Sequence, residues 1–343
     1  MTLRSKTTSV PHGAGFFERD LELPPEALEG IAREKQIVAF AGYFGMGKSP
    51  ALEDLTVCAI RGIPWCGRDV AQRPVIAFDF ESASAKYRLD IKNIAERFRV
   101  QTPVVPDELD IYLANADPVT ECNTEKLLSV MGDPEERMGL IHDALERKPN
   151  ALVIIDPMDM MFPEVDKMKG QQVVDLYLRL RSVMSKYPRS LFLLTFNLRK
   201  PHREARTPSL MSDPRGWLNE IAGNADIVNR CDVRLGIDTF QDEIRVVNGI
   251  RRGEEMHPVL VRPVGEPDCL AGFEQCEPSE INIAVALTKT QQKYWAVLPD
   301  EFRFEQIADK TVPRSSLSRL IRRVRSLGLL CEGDGLFVKL GGA

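Results

Sequence analysis

The chain has 343 residues, 43% of them hydrophobic and 28% charged, with a formal net charge of −5. Such a composition excludes a fibrous or disordered protein and suits a soluble globular one. The length exceeds what one compact domain usually holds, so one large and one small domain are expected.

Seven cysteines, Cys58, Cys66, Cys122, Cys231, Cys269, Cys276 and Cys331, are scattered and mostly set among apolar neighbours. Their odd number and spread fit reduced, buried thiols in a cytoplasmic protein rather than a disulfide framework. Cys269 and Cys276 lie close together, but no second pair or nearby histidine completes the ligand set of structural zinc. The opening stretch MTLRSKTTSVPHGAG is polar, and no run approaches the roughly 20 apolar residues of a membrane span, so neither a signal peptide nor a membrane protein is expected.

Along the chain, residues 1–35 read as a polar leader followed by a short helix from Pro25 to Glu34. Gln36 to Ala41 is an apolar run entering glycine, the mark of a buried strand that turns. A helix is expected from about Gly47 to Arg61, a strand at Val75 to Phe80, a helix from Ala83 to Arg99, and a strand at Leu109 to Ala114. After a helix ending near Arg147 come a strand at Leu152 to Pro157, a helix from Val173 to Lys186, and a strand at Ser190 to Phe196. Near-continuous Val/Ile/Leu/Phe strands alternating with amphipathic helices are what a parallel sheet covered on both faces requires. Beyond Arg230 the segments DVRLGID, EIRVVNGI, HPVLVRP and INIAVAL are strand-like with polar turns, and predict an antiparallel extension at the sheet edge.

From Leu287 to the end, ten Lys/Arg face six Asp/Glu, a local balance of +4 against −9 for the rest. Here TKTQQKYWAVLP, FEQIADKT and RSSLSRLIRRVRSLG read as three helices, followed by two strands around Gly333-Asp334-Gly335. Three helices and a hairpin make a winged-helix arrangement. The expected organisation is therefore an α/β core at 36–286 and a winged-helix domain at 287–343.

The segment Gly42-Tyr43-Phe44-Gly45-Met46-Gly47-Lys48-Ser49 matches G-x-x-x-x-G-K-[ST] between an expected strand and an expected helix. Its glycines let backbone amides wrap around phosphates at a helix N-terminus, whose dipole favours anions. Lys48 would reach the β- and γ-phosphates of ATP, and the Ser49 hydroxyl would ligate Mg²⁺. Pro50 falls in the first helical turn, where its missing N–H costs little. Asp156 ends the strand LVIIDP, the position of a carboxylate that orients Mg²⁺ through water. Asp159 is the weaker candidate and reads as solvated. Glu81, after the strand VIAFDF, either caps the following helix or directs a water at the γ-phosphate.

AFAGYFGMGKSPALEDLTVCAIRGIPW, VIAFDFESA, LVIIDP and LLTFNLRK together resemble the RepA-like branch of RecA-type ATPases, the hexameric replicative helicases of plasmids and phages. The likeness runs over roughly residues 36–238. It implies a RecA-like P-loop NTPase core and gives Glu81 the water-activating role. In the family a His pair often ends the fourth core strand as γ-phosphate sensor; here Phe196-Asn197 stands there, and the Asn197 amide can still bond phosphate or water. Lys200 resembles a family lysine downstream of that sensor. The family also supplies an arginine finger to a neighbouring subunit, which points to Arg215 in DPRGW, with Arg230 and Arg199 behind it.

In the loop 198–216, Arg199, Lys200, Arg203 and Arg206 suit a sequence-indifferent grip on a single DNA strand. In the tail, Arg314, Arg319, Arg322, Arg323 and Arg325 oppose Leu317, Leu320, Ile321 and Val324 across one helix, a basic face for phosphates or a duplex groove, with protein docking, which winged helices also serve, as the alternative. Trp295 and Phe304 read as core. The expected protein is thus an ATP- and Mg²⁺-dependent motor on DNA, assembled as a homo-oligomeric, hexameric ring of replicative-helicase type. A non-translocating ATP-switched regulator, helicase loader or recombination mediator is the alternative.

Overall fold

The computed structural model describes residues 22–99, 108–115, 123–199, 209–223, 227, 229–241, 243–266, 269–277, 281, 286–327, 329–333 and 335–340. Two short strands, β1 (Glu26–Leu28) and β2 (Ala32–Arg33), form a hairpin where a helix from Pro25 to Glu34 was expected. Ala27, Leu28, Ile31 and Ala32 are spaced for a helix but are buried by tertiary contact, with Leu28 bridging to Val70. Gly30 turns the hairpin at φ 63°, and its amide donates to the Glu26 carboxylate (3.0 Å).

The core then alternates β3 (Ile37–Gly42), α1 (Lys48–Arg61), β4 (Val75–Ala83), α2 (Ser84–Arg97), β5 (Leu109–Asn115), α3 (Thr124–Val130), α4 (Pro134–Arg147), β6 (Leu152–Asp156), the single turn α5 (Met158–Met161), α6 (Gly170–Lys186) and β7 (Leu191–Asn197). After the short helix α7 (Pro214–Leu218) come β8 (Val233–Gln241), β9 (Ile244–Arg251), β10 (Glu254–Glu255), β11 (Val259–Glu266) and β12 (Cys269–Gln275). Among the described residues the sheet order is β12-β11-β9-β8-β3-β7-β6-β4-β5, with β10 paired to β9. All pairings from β8 through β3 to β5 are parallel, and those from β8 out to β12 are antiparallel. This is the mainly parallel α/β core with an antiparallel edge that the strand pattern implies. The extension differs in its last member: β12 lies at 269–275, whereas most of the expected strand INIAVAL, residues 282–285, lies outside the described residues.

Period-two alternation explains why both sheet faces are apolar. In β3, Ile37, Ala39 and Ala41 pack on the side of α4 and α6, while Val38 and Phe40 pack on the side of α1 and the hairpin; β6 and β7 divide likewise. Helix α4 starts at an Asp133 cap that accepts from Glu135 N (2.7 Å), with Pro134 in its first turn. Cys58, Cys66 and Cys276 are buried, in keeping with the buried cysteines expected, whereas Cys231 is partly buried and Cys331 is exposed.

The C-terminal segment contains α8 (Lys289–Val297), β13 (Glu301–Phe302), α9 (Phe304–Ile307), α10 (Arg314–Ser326), β14 (Leu330–Gly333) and β15 (Leu336–Lys339). Thr288 and Gln291 form a reciprocal cap on α8. β13 was not foreseen; two residues long, it pairs with β15 and completes a small antiparallel sheet ordered β13-β15-β14. Leu317, Leu320, Ile321 and Val324 of α10 are buried, and Trp295 is core as expected.

β12 folds across the N-terminal part of α1. Phe273 N donates to Asp54 Oδ2 (3.2 Å), and Arg97 of α2 donates both to the Phe273 carbonyl (2.8 Å) and to Asp54 Oδ1 (2.6 Å). Burial pushes the Asp54 carboxyl up to about 6 despite the attraction of Arg97. Removing the guanidinium leaves a buried acid without its partner, so Arg97→Met should cost about 3–5 kcal/mol, measurable by urea unfolding near neutral pH, and Asp54→Asn in the same chain should recover a large part of the loss.

Candidate nucleotide site

Parallel register assembles the site at the C-terminal ends of the strands. Gly42 of β3 lies opposite Asn197 of β7, and Asp79 of β4 opposite Asp156 of β6. The chain leaves β3 at Gly42 and enters α1 at Lys48 through Gly47, at φ 93°. That left-handed turn needs glycine, and a Cβ there would also meet the Phe273 ring at 2.9 Å. No side chain caps α1, so its first-turn amides are left to face an anion.

Lys48 Nζ donates to the carbonyls of Gly42 (3.0 Å) and Tyr43 (3.4 Å) and to Asn197 Oδ1 (3.0 Å). Burial lowers the Lys48 pKa, while the charges of Asp156 and Glu81 pull it back up. Ser49 Oγ donates to Asp156 Oδ2 (2.9 Å), and Thr195 Oγ1 donates to Asp156 Oδ1 (2.5 Å). A serine hydroxyl and a buried carboxylate meeting beside a phosphate-type loop are hard oxygen donors of the kind Mg²⁺ takes. Pro50 lies in the first turn of α1, and Gly45 and Met46 belong to the connecting loop.

Glu81 is an exposed residue near the end of β4; its amide and that of Ser82 both donate to Asp79 Oδ1 (2.8 Å each). Its charge raises the pKa of both Lys48 and Asp156. Behind them Glu53 of α1 and Asp90 of α2 are buried, with Lys86 at 2.5 Å from Asp90. Burial, and then the neighbouring Asp90, raises the Glu53 pKa well above the carboxylate range.

Other expected residues have different partners. Asp159 pairs with Lys167. Arg215, on α7, is exposed and donates to the Gly253 carbonyl (2.8 Å); among the described residues it makes no hydrogen bond or ion pair with Lys48, Ser49 or Asp156. Arg199 is exposed and donates to the Gly223 carbonyl, while Lys200, Arg203 and Arg206 lie outside the described residues. On α10, Arg314 pairs with Glu305 (2.6 Å) and Arg325 with Glu332 (2.7 Å). Arg323 departs from the expected open basic face. It turns toward the core and donates to the Ala286 carbonyl (2.9 Å), because that face of α10 packs against the segment leading into α8.

Several contributors were not read from the sequence. Thr195, a lone hydroxyl inside LLTFN, was the available sign of a polar partner on β7. Tyr43 of the loop rests edge-on against Trp217 of α7, ring centroids 6.0 Å apart, and Trp217 Nε1 donates to Asp238 (2.8 Å).

A family model described as an AAA domain matches residues 5–195, more than half of the chain. No curated protein sequence matches it. Among solved structures, one described as the crystal structure of the RadB recombinase aligns with a TM-score of 0.45 at 14% identity, covering 71% of this chain and 92% of that one. Among the described residues, no helix is long and apolar enough to cross a membrane.

Burial raises the Asp156 pKa to about 6, with Asp79 and Glu81 adding to the shift and the bonds from Thr195 and Ser49 opposing it. A carboxyl raised in this way contributes stability that is complete below about 3.8 and is lost as pH rises through about 6. A divalent cation selects the ionised form instead. The rise in melting temperature caused by magnesium nucleotide should therefore be large at about pH 7.5 and shrink as pH falls through about 6. An equal rise at both ends of a pH series of thermal melts would count against Asp156 as a cation-holding group.

Proposed function

The chain belongs to the AAA-domain family, and from that membership we propose that it is a Mg²⁺-dependent, ATP-hydrolysing motor of RecA type that assembles as a ring and acts on DNA. The observation that carries this reading is the convergence of Lys48, Asn197, Ser49 and Asp156 at one sheet edge, with the charge of Glu81 felt by both Lys48 and Asp156.

In this reading the α1 amides and Lys48 hold the triphosphate, and Lys48 exchanges its carbonyl partners for phosphate oxygens. Ser49 and Asp156 would hold Mg²⁺, which supplies neutralising charge at the phosphates. Glu81 orients the attacking water and accepts its proton, and Asn197 bonds the phosphate or that water. Arg215, exposed on α7, acts on the ATP of the adjacent protomer, so the active unit is an oligomer, a hexameric ring by resemblance to replicative helicases. Arg199, Lys200, Arg203 and Arg206 contact a single DNA strand, and the C-terminal segment from Leu287 acts as a winged-helix DNA-binding unit.

Lys48→Ala should abolish hydrolysis, and Glu81→Gln should retain ATP binding while lowering turnover by about 10²–10⁴-fold. Arg215→Ala should lower turnover by about 10³–10⁵-fold. If the finger acts in trans, mixing the Glu81→Gln and Arg215→Ala proteins returns part of the wild-type rate, since some interfaces then pair an intact Glu81 with an intact Arg215. No recovery on mixing, together with a monomer in sedimentation with nucleotide and DNA, would remove Arg215 from this role. Strand displacement from a forked duplex tests the helicase activity itself. ATPase activity stimulated by single-stranded DNA without displacement would identify an ATP-switched loader or mediator instead.

A further inference from the structure

Helix α10 does not present its arginines to open solvent alone. Together with Met211, Asn248 and the segment Glu255–Pro258 of the core, it encloses a cleft of about 670 Å³. Four arginines, Arg319, Arg322, Arg323 and Arg325, line this space, and Glu255 is the one carboxylate among its described lining residues. In a chain with a net charge of −5, such an island draws a polyanion to one location.

The four arginines are not equivalent. Arg323 donates to the Ala286 carbonyl with Nε (3.2 Å) and a terminal nitrogen (2.9 Å), tying α10 to the core. Arg325 is paired with Glu332 (2.7 Å). Arg319 bonds the Ser315 carbonyl through Nε (3.2 Å), a contact that leaves its terminal nitrogens out. Arg322 is exposed and makes no hydrogen bond or ion pair among the described residues. Arg319 and Arg322 are therefore the two cations available to a ligand.

The cleft also limits what that ligand is. A helix with its side chains is about 10–12 Å across and fills a B-DNA major groove about 12 Å wide. A helix enters that groove only with its reading face clear of other protein. Here Arg319 and Arg322 border the same cleft as Met256 and His257 of the core, so a duplex approaching this part of α10 meets the core segment beside it. A single strand has no such width. The aromatic rings at the rim are already engaged, Phe337 stacked on Phe302 (5.4 Å) and Phe304 beneath the Arg314 guanidinium (5.1 Å). Base stacking is thus not on offer, and the grip falls on phosphates without regard to sequence.

We propose that the cleft between α10 and the core binds the phosphate backbone of single-stranded DNA through Arg319 and Arg322, and that α10 does not read duplex DNA. This rests on the DNA-acting reading above and narrows it, replacing groove recognition by the tail with a second single-strand contact.

The test is fluorescence anisotropy of the full chain, without nucleotide, on a labelled single-stranded oligonucleotide and on the matching duplex over a series of salt concentrations. Wild type should prefer the single strand. The double variant Arg319→Ala/Arg322→Ala should lose at least about tenfold in affinity, and its slope of log affinity against log salt should flatten by about 1.4, near 0.7 for each lost phosphate contact. Arg319→Lys/Arg322→Lys should regain most of the affinity, which a folding defect would not allow. Unchanged affinity or slope in the alanine variant overturns the assignment, as does an equal loss on duplex. Displacement of the oligonucleotide by poly-glutamate at equal charge concentration would also overturn it, in favour of an acidic-peptide site. Failure of wild type to bind any DNA removes both the cleft and the DNA-acting reading. ATP hydrolysis dependent on Lys48, measured without DNA, stands or falls separately.

Discussion

Asp156 is held in a place where a carboxylate is hard to keep charged. It is buried, it lies opposite Asp79 in the sheet register, and the charge of Glu81 acts on it. Two hydroxyls, from Ser49 and Thr195, offset part of that cost, and Lys48 stands close enough for its own pKa to respond to Asp156. Like charges collected out of water raise the protonated population and sharpen the demand for a cation. The local chemistry thus favours a divalent ion, in line with the nucleotide proposed for the loop beside it. The strand order places this carboxylate at the end of β6 between β4, which carries Asp79 and Glu81, and β7, which carries Thr195 and Asn197.

The parallel part of the fold was readable from the chain because its strands are uniformly apolar and its helices amphipathic. In β3, β6 and β7 both faces are buried, so the hydrophobic run itself carries the signal. The N-terminal hairpin was not readable, since Ala27, Leu28, Ile31 and Ala32 satisfy a helical period equally well, and only packing under the sheet and the turn at Gly30 decide between them. β12 was missed for another reason: it contains Gly272 and a mixture of small and polar residues, and it is stabilised from outside by Asp54 and Arg97 more than by its own pattern.

The candidate site divides along the same line. Lys48 and Ser49 were proposed from the phosphate-loop motif, Asp156 from its strand end, and the role of Glu81 and the choice of Asn197 from the family resemblance; the fold brings Lys48 to Asn197 and Ser49 to Asp156. The contribution of Thr195 depends on which strand neighbours β6, information that no local window contains. Arg323 illustrates the reverse case. Its helical position is on the basic side, but the orientation of α10 against the core turns that side partly inward, and the charge becomes an anchor.

Phe273 belongs to the far rim of the sheet, yet its ring covers Gly47 and its backbone is clasped by Asp54 and Arg97. The outermost strand therefore closes a loop back onto the first turn of α1, joining two regions that are remote along the chain. Gly47 is thereby linked through Phe273 to β12, and through the β12–β11–β9 ladder to the strand that carries Asn248 on the wall of the cleft beside α10.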